Sequence, residues 1–283
     1  MKIAATAAGW CANWALVAVA CLAFAIWRDR LPPKYTVPVI LLLGLISWLG
    51  WSITLNWTLL AFVIGQAAGI GALALWNIAH GLPLLTINGY DGAQIALMTL
   101  VTNPVQVALL AAIARWRADG SPLAYLALTE FSWRDLLIGI VAIAALSAAI
   151  YGLSRLAHID TVTPFETDIF TSGRAEGWLA AVVFAVVLVG PVGEEVMFRG
   201  FLFRGWVTPD WRGAIAVVVI PLLWAAMHLQ YDWLGIGQVF LIGLVLSWIR
   251  WRSGSCLLTI VLHALVNIES TIEVALRLGW SGT

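Results

Sequence analysis

Residues 179–201 read LAAVVFAVVLVGPVGEEVMFRGF, and nothing from Leu179 to Gly193 carries a charge. Two adjacent glutamates, Glu194 and Glu195, and then Arg199 follow at once. An uncharged run of this kind reads as the body of a membrane-spanning helix, which needs roughly 20 apolar residues. Ionisable side chains at bilayer depth are costly, and where they persist they pair with one another or serve a reaction. The placement of these three therefore sets both the fold class and the region where function is sought.

The rest of the chain is of the same character. Of 283 residues, 62% are hydrophobic and 11% charged, against about 25% charged in an ordinary globular domain. Lys plus Arg and Asp plus Glu balance at 15 each, so no basic surplus points to nucleic acid. Many of the 17 tryptophans fall near the ends of apolar segments, as in an interfacial belt. Cys11, Cys21 and Cys256 lie in apolar segments without metal-type spacing and read as small packing residues. The segment from Ala8 to Trp27 reads as a retained first span. It has no clear small-x-small cleavage site.

Nine apolar segments are long enough to be considered: 8–27, 36–54, 57–78, 92–114, 134–153, 178–206, 212–230, 233–250 and 255–276. The expected fold is all-α, a polytopic membrane helical bundle of about eight or nine transmembrane helices. Basic loops mark the cytoplasmic side. They fall at Arg28, Arg30 and Lys34, at Arg115, Arg117 and Arg134, at Arg199, Arg204 and Arg212, and at Arg250 and Arg252. The loop from Arg155 to Gly177 is acidic on balance and suits the outside. From residue 115 onward the sides alternate consistently. Before it, three segments lie between two basic loops, where an even number of crossings is required. One of the three is expected not to cross fully, the suspects being the segment with Asn103-Pro104 and the NGYDG-flanked stretch before it. Eight spans with an outside N-terminus satisfy every basic loop.

In the second half the polar residues within apolar segments are Glu194, Glu195, Arg199, His228, His263, Asn267, Glu269 and Glu273. At 1.5 Å per residue, Glu194 lies about 18 Å from a helix end near 206 and His228 about 25 Å from a start near 211. On the same measure His263 and Asn267 lie about 13 and 20 Å from a start near 254. Residues far apart in sequence thus fall in one band near mid-membrane. Glu195 and Arg199 are i,i+4, the spacing of an intrahelical ion pair, which leaves Glu194 free to point elsewhere. His263 and Asn267 are also i,i+4 and share a face. A buried carboxylate beside an imidazole can act as general base on a water. A histidine and an asparagine on one face can donate to a developing oxyanion. These are the parts of peptide-bond hydrolysis by an activated water.

Glu194-Glu195-x-x-x-Arg199, Trp224-x-x-x-His228 and His263-x-x-x-Asn267 resemble the three motifs EExxxR, FxxxH and HxxxN of the CPBP family, the CAAX proteases and bacteriocin-processing enzymes, also called the ABI family. The three occur in the family's order within about residues 178–276, and residues 1–133 carry no family motif. The resemblance implies an intramembrane endopeptidase like the type II CAAX prenyl endopeptidases. It implies that Glu194 and His228 activate water and that His263 and Asn267 form the oxyanion hole. Glu195, Arg199 and Trp224 would support them, Trp224 standing where the family has phenylalanine and reading as packing. It further implies N-terminal transmembrane helices of uncertain role in 1–133 and a catalytic transmembrane core in 134–283.

The implied substrate is a membrane-associated polypeptide, and the implied location is a bacterial plasma membrane with the Arg-rich loops cytoplasmic. The family is often called metalloprotease, and Glu194, His228 and His263 could supply three zinc ligands. A metal-free glutamate mechanism fits the same residues, so both stay open here. Two other readings compete. One is a non-catalytic membrane scaffold or immunity-type protein on the same fold. The other is a small transporter with a carboxylate relay, against which stands the lack of an inverted repeat. His80 and His158 read as non-catalytic loop residues, Glu269 and Glu273 as solvated or paired carboxylates, and Gln66 and Asn103 as isolated polar groups.

Overall fold

The structure, a computed structural model, describes residues 52–117 and 120–280. The expected segment 8–27 and nearly all of 36–54 lie outside the described residues. The chain divides into two compact units, Met1–Leu60 and Ala61–Thr283. Apart from residues 52–60, all the described residues belong to the second.

Six described helices are long and apolar enough to span a membrane, and no described residue is in a strand. The protein is an all-α polytopic membrane bundle. Helix α1 runs Ser52–Ala79. Helix α2 runs Gly92–Arg117 and carries Pro104 inside it. A short α3, Pro122–Tyr125, follows, then α4, Trp133–Ala157, capped by Ser132. Helix α5, Pro164–Ala175, begins with a capping box formed by Thr163 and Glu166. Helix α6 runs Leu179–Trp206, α7 Trp211–Ala225, α8 Trp233–Ser253 and α9 Cys256–Arg277. Asp210, Asp232 and Ser255 cap the last three by accepting backbone N–H groups.

Three expectations need correcting. Asn103-Pro104 does not interrupt its segment, because α2 is continuous through it. Of the three segments between residues 36 and 114, the two that the structure describes, α1 and α2, are both of full spanning length. The expected span 212–230 is instead the 15-residue α7, which stops at Ala225. His228 therefore lies in the turn after α7 and not on it. The acidic stretch read as a loop between 155 and 177 contains α5, a polar-faced helix too short to cross.

Close helix contacts rest on glycine, as expected where backbones must approach within lipid. A Cβ on Gly92 would lie 2.1 Å from the Ile169 carbonyl oxygen, so α2 and α5 pack backbone to backbone. Around that contact Ala96, Ile169, Phe170, Val182, Ala185 and Val274 form a buried apolar cluster that joins α2, α5, α6 and α9. Large apolar side chains such as Leu75, Leu153 and Leu156 stay exposed, which suits a surface solvated by lipid. Trp116, Trp133, Trp211, Trp233 and Trp251 are exposed at helix ends, the position of an interfacial belt.

Candidate functional site

Helix α6 is not regular throughout. A π-helical stretch at Ala185–Val189 and another at Val196–Leu202 flank a regular turn, Gly190–Glu195. Pro191 supplies a cause for the first: it has no N–H to donate, and its ring crowds the carbonyl four residues back. The Gly190 N–H accordingly bonds to the Ala185 carbonyl, five residues back. Such widened turns concentrate at functional sites because they re-aim the side chains beside them. The two glutamates sit at the end of the regular turn, between the widened ones.

Glu195 and Arg199 are both fully buried. Glu195 Oε1 accepts from Arg199 Nη1 at 3.1 Å, the i,i+4 pair that the spacing predicts. The same oxygen accepts from His263 Nδ1 on α9 at 3.0 Å. Arg199 also donates through Nη2 to the Gly243 carbonyl at 3.0 Å and through Nε to Ser247 Oγ at 3.4 Å, both on α8. Its guanidinium lies 4.6 Å from the Trp224 ring centroid. Buried charges are tolerated when paired and hydrogen-bonded, and this knot ties α6, α7, α8 and α9 at one point.

Glu194 faces away from the knot and is only partly buried. Its Oε2 accepts from the Trp224 indole Nε1 at 2.6 Å. Trp224, expected to be packing alone, is thus a donor to the first glutamate. Its own carbonyl accepts from His228 Nδ1 at 2.9 Å. A backbone carbonyl can only accept, so Nδ1 carries the hydrogen and the neutral ring keeps its lone pair on Nε2. One tryptophan therefore holds Glu194 by its side chain and His228 by its backbone. The His228 ring stacks on Tyr231 with centroids 5.9 Å apart. Burial and the nearby carboxylates of Glu166 and Glu194 push the Tyr231 phenol well up, which keeps it a protonated donor.

Asn267 donates through Nδ2 to the Val186 carbonyl at 2.8 Å, inside the first π stretch. One of its two amide hydrogens is thereby used and the second remains. Glu194, His228, His263 and Asn267 all line one cavity of about 1110 Å³, together with Tyr231 and many apolar side chains of α4, α8 and α9. Glu269 and Glu273 line it too, and they accept from Ser147 and Thr161. His80 and His158 do not line it.

A zinc site would need three or four converging donors. Among the described residues no three His, Cys, Asp or Glu side chains come together to hold a metal ion. The trio Glu194, His228 and His263 is not gathered into such a group.

Two residues by the cavity were not recognisable as site residues from the motifs. Tyr231 follows His228 by three positions in the turn, and Asn103 comes from α2. The one available signal for Asn103 was a polar residue beside a proline in mid-span.

A curated protein of Escherichia coli, described as an uncharacterized 24.3 kDa protein, is 33% identical to this chain over 105 residues, 35% of this chain and 46% of that protein. The chain thus matches about half the length of that relative. No solved structure matches. Residues 176–268, which take in α6 and all three motifs, match the family model for type II CAAX prenyl endopeptidase, Rce1-like, and this similarity of the segment that carries the candidate site agrees with the CPBP resemblance of its motifs.

Proposed function

We propose that this protein is an intramembrane endopeptidase that hydrolyses a peptide bond in a membrane-associated polypeptide. The observation that carries the reading is the double hold of Trp224. It fixes a carboxylate and an imidazole on the wall of one cavity, where His263 and Asn267 also stand. Glu194 takes a proton from a water, and the lone pair on His228 Nε2 shares that proton with the carboxylate. The water oxygen bonds to the scissile carbonyl carbon. Asn267 through its second amide hydrogen, and His263 through the Nε2–H of its doubly protonated ring, donate to the oxygen that becomes negative. The carbon–nitrogen bond then breaks and the leaving amine takes the proton from Glu194. Glu195 and Arg199 stay out of the chemistry and hold His263 in place. Residues 134–283 form the catalytic core in this reading. The Rce1-like match names a prenylated CAAX protein as one candidate class of substrate.

The test compares protein termini in membranes of cells that carry wild type or Glu194→Gln at equal expression. A terminus in or beside a membrane segment, present only with wild type, is the expected result and names a substrate. Identical termini under several growth conditions would remove the reading in favour of a scaffold.

A further inference from the structure

Behind Glu194 lies a second, smaller cavity of about 170 Å³. Glu194, Trp224, His228, Gln230 and Asn103 line both this chamber and the large cavity. The chamber's remaining polar wall comes from α1 and α2, with Gln66, Thr102 and Gln106. A water needs roughly 10–15 Å³ and two to four polar partners. The chamber exceeds the first requirement and its wall supplies the second.

Asn103 stands at the junction of the two spaces. Its amide lies over the backbone of Gly193, so closely that a Cβ there would come within 1.8 Å of Asn103 Oδ1. Only glycine fits at 193, the residue before Glu194. Gln106, one turn along α2, donates to the Gly193 carbonyl at 3.2 Å. Asn103 Nδ2 donates to the Thr99 carbonyl at 3.2 Å. That bond fixes the amide orientation, because a carbonyl cannot donate, and leaves Oδ1, packed against Gly193 in the wall that Asn103 shares with Glu194, as the acceptor end of the amide.

A hydrolytic water has two hydrogens. If only the base holds it, the water can turn about that one bond, and its lone pair is not aimed. A second acceptor removes that freedom, and correct orientation is worth orders of magnitude in rate. Resting on the endopeptidase reading above, we propose that Asn103 Oδ1 accepts the second hydrogen of the attacking water, making α2 part of the reaction centre. The O–H bond to Glu194 breaks as before. The O–H bond to Asn103 stays intact and holds the oxygen lone pair towards the scissile carbonyl.

The test uses full-length protein in lipid nanodiscs and a peptide that spans the cleavage found by the terminus comparison. Asn103→Leu keeps the shape and removes the acceptor. It is expected to lower kcat about 10²-fold with KM nearly unchanged, the loss typical of one missing catalytic hydrogen bond. Asn103→Asp restores the acceptor. In its protonated form the new side chain donates to the Thr99 carbonyl through its hydroxyl and keeps a carbonyl oxygen for the water. Its kcat is expected within about tenfold of wild type, on the same principle of one retained hydrogen bond. A purely structural role predicts instead that the variants lose thermal stability while kcat per folded molecule stays at the wild-type level. Wild-type kcat for Asn103→Leu, or Asn103→Asp at or below Asn103→Leu, overturns the proposal. Should Asn103→Leu fail to fold, Asn103→Asp decides alone, and a loss as large as that of Glu194→Gln counts against it. If Glu194→Gln itself cleaves normally, it is the endopeptidase reading that has failed.

Discussion

Glu194 and Glu195 are neighbours in sequence and occupy opposite kinds of environment. Around Glu195 one oxygen is tied down: Arg199 and His263 share Oε1, and the guanidinium reaches Gly243 and Ser247 as well, while Oε2 has no hydrogen-bond partner among the described residues. Around Glu194 the hold is a single indole, and the rest of the carboxylate borders two cavities. The first region is a buried ionic knot that fixes where helices sit. The second is a wall with unused hydrogen-bonding capacity. The difference teaches that two identical side chains, about 100° apart on one helix, can be divided between holding a fold and facing a reactant.

The sharpest way to break the comparison is to exchange charge for amide at both positions. Glu194→Gln keeps an oxygen for the Trp224 indole and loses the base. Cleavage is expected to fall by about 10⁴-fold, the upper range for a lost general base, with thermal unfolding in detergent unchanged. Activity above a hundredth of wild type would move the base elsewhere in the cavity. Glu195→Leu attacks the other region. It strands Arg199 without its counter-charge in a fully buried site, and removing one partner of a buried pair costs about 3–5 kcal/mol. Denaturation should show that loss directly. The double variant Glu195→Leu with Arg199→Leu is expected to lose less than the sum of the two singles, as coupled partners do.

The packing around the knot offers a milder probe. A Cβ on Gly243 would lie 2.9 Å from Trp224 Cε3, 3.0 Å from Pro221 Cβ and 3.1 Å from Arg199 Nη2. Gly243→Ala therefore overpacks the place where α7 and α8 meet the guanidinium. A loss of about 1–3 kcal/mol is expected, read by the same denaturation. Little change in stability would mean that α8 yields more easily than the knot suggests.

What the sequence made legible followed from local periodicity. The i,i+4 spacing of Glu195 and Arg199 gave their ion pair, and the apolar runs gave six span-length helices among the described residues. The start of α5 was readable too, since Thr163-Pro164-Phe165-Glu166 has the form of a capping box with proline at the first helical position. That signal was masked by the charge of the segment. The end of α7 at Ala225 was not readable, because Met227 and Leu229 extend the apolar run past the last helical turn. Nor did spacing reveal the contacts between helices. His263 pairs with Glu195 across 68 positions, and Asn267 reaches the Val186 carbonyl across 81. Such contacts depend on how helices are rotated against one another, and no single-helix pattern encodes that. For the same reason Asn103 looked isolated until α2 was seen lying over Gly193.

Trp224 touches both regions, and replacing it makes the most discriminating change. Its indole N–H serves Glu194, while its ring lies under Arg199 and edge-on to His263 at 5.2 Å. Trp224→Phe, which restores the aromatic of the FxxxH motif, removes the N–H and keeps a ring. A hydrogen bond to a carboxylate contributes about 1.5–3 kcal/mol, so kcat should fall by about ten- to a hundredfold while unfolding shifts little. The backbone bond to His228 is unaffected by the substitution. If kcat falls and stability holds, Trp224 belongs with the reactive wall and orients its carboxylate. If stability falls by as much as in Glu195→Leu while kcat per folded molecule holds, the ring belongs with the knot. Glu194 would then be placed by the turn of α6 between its two π stretches, and the indole would only follow it.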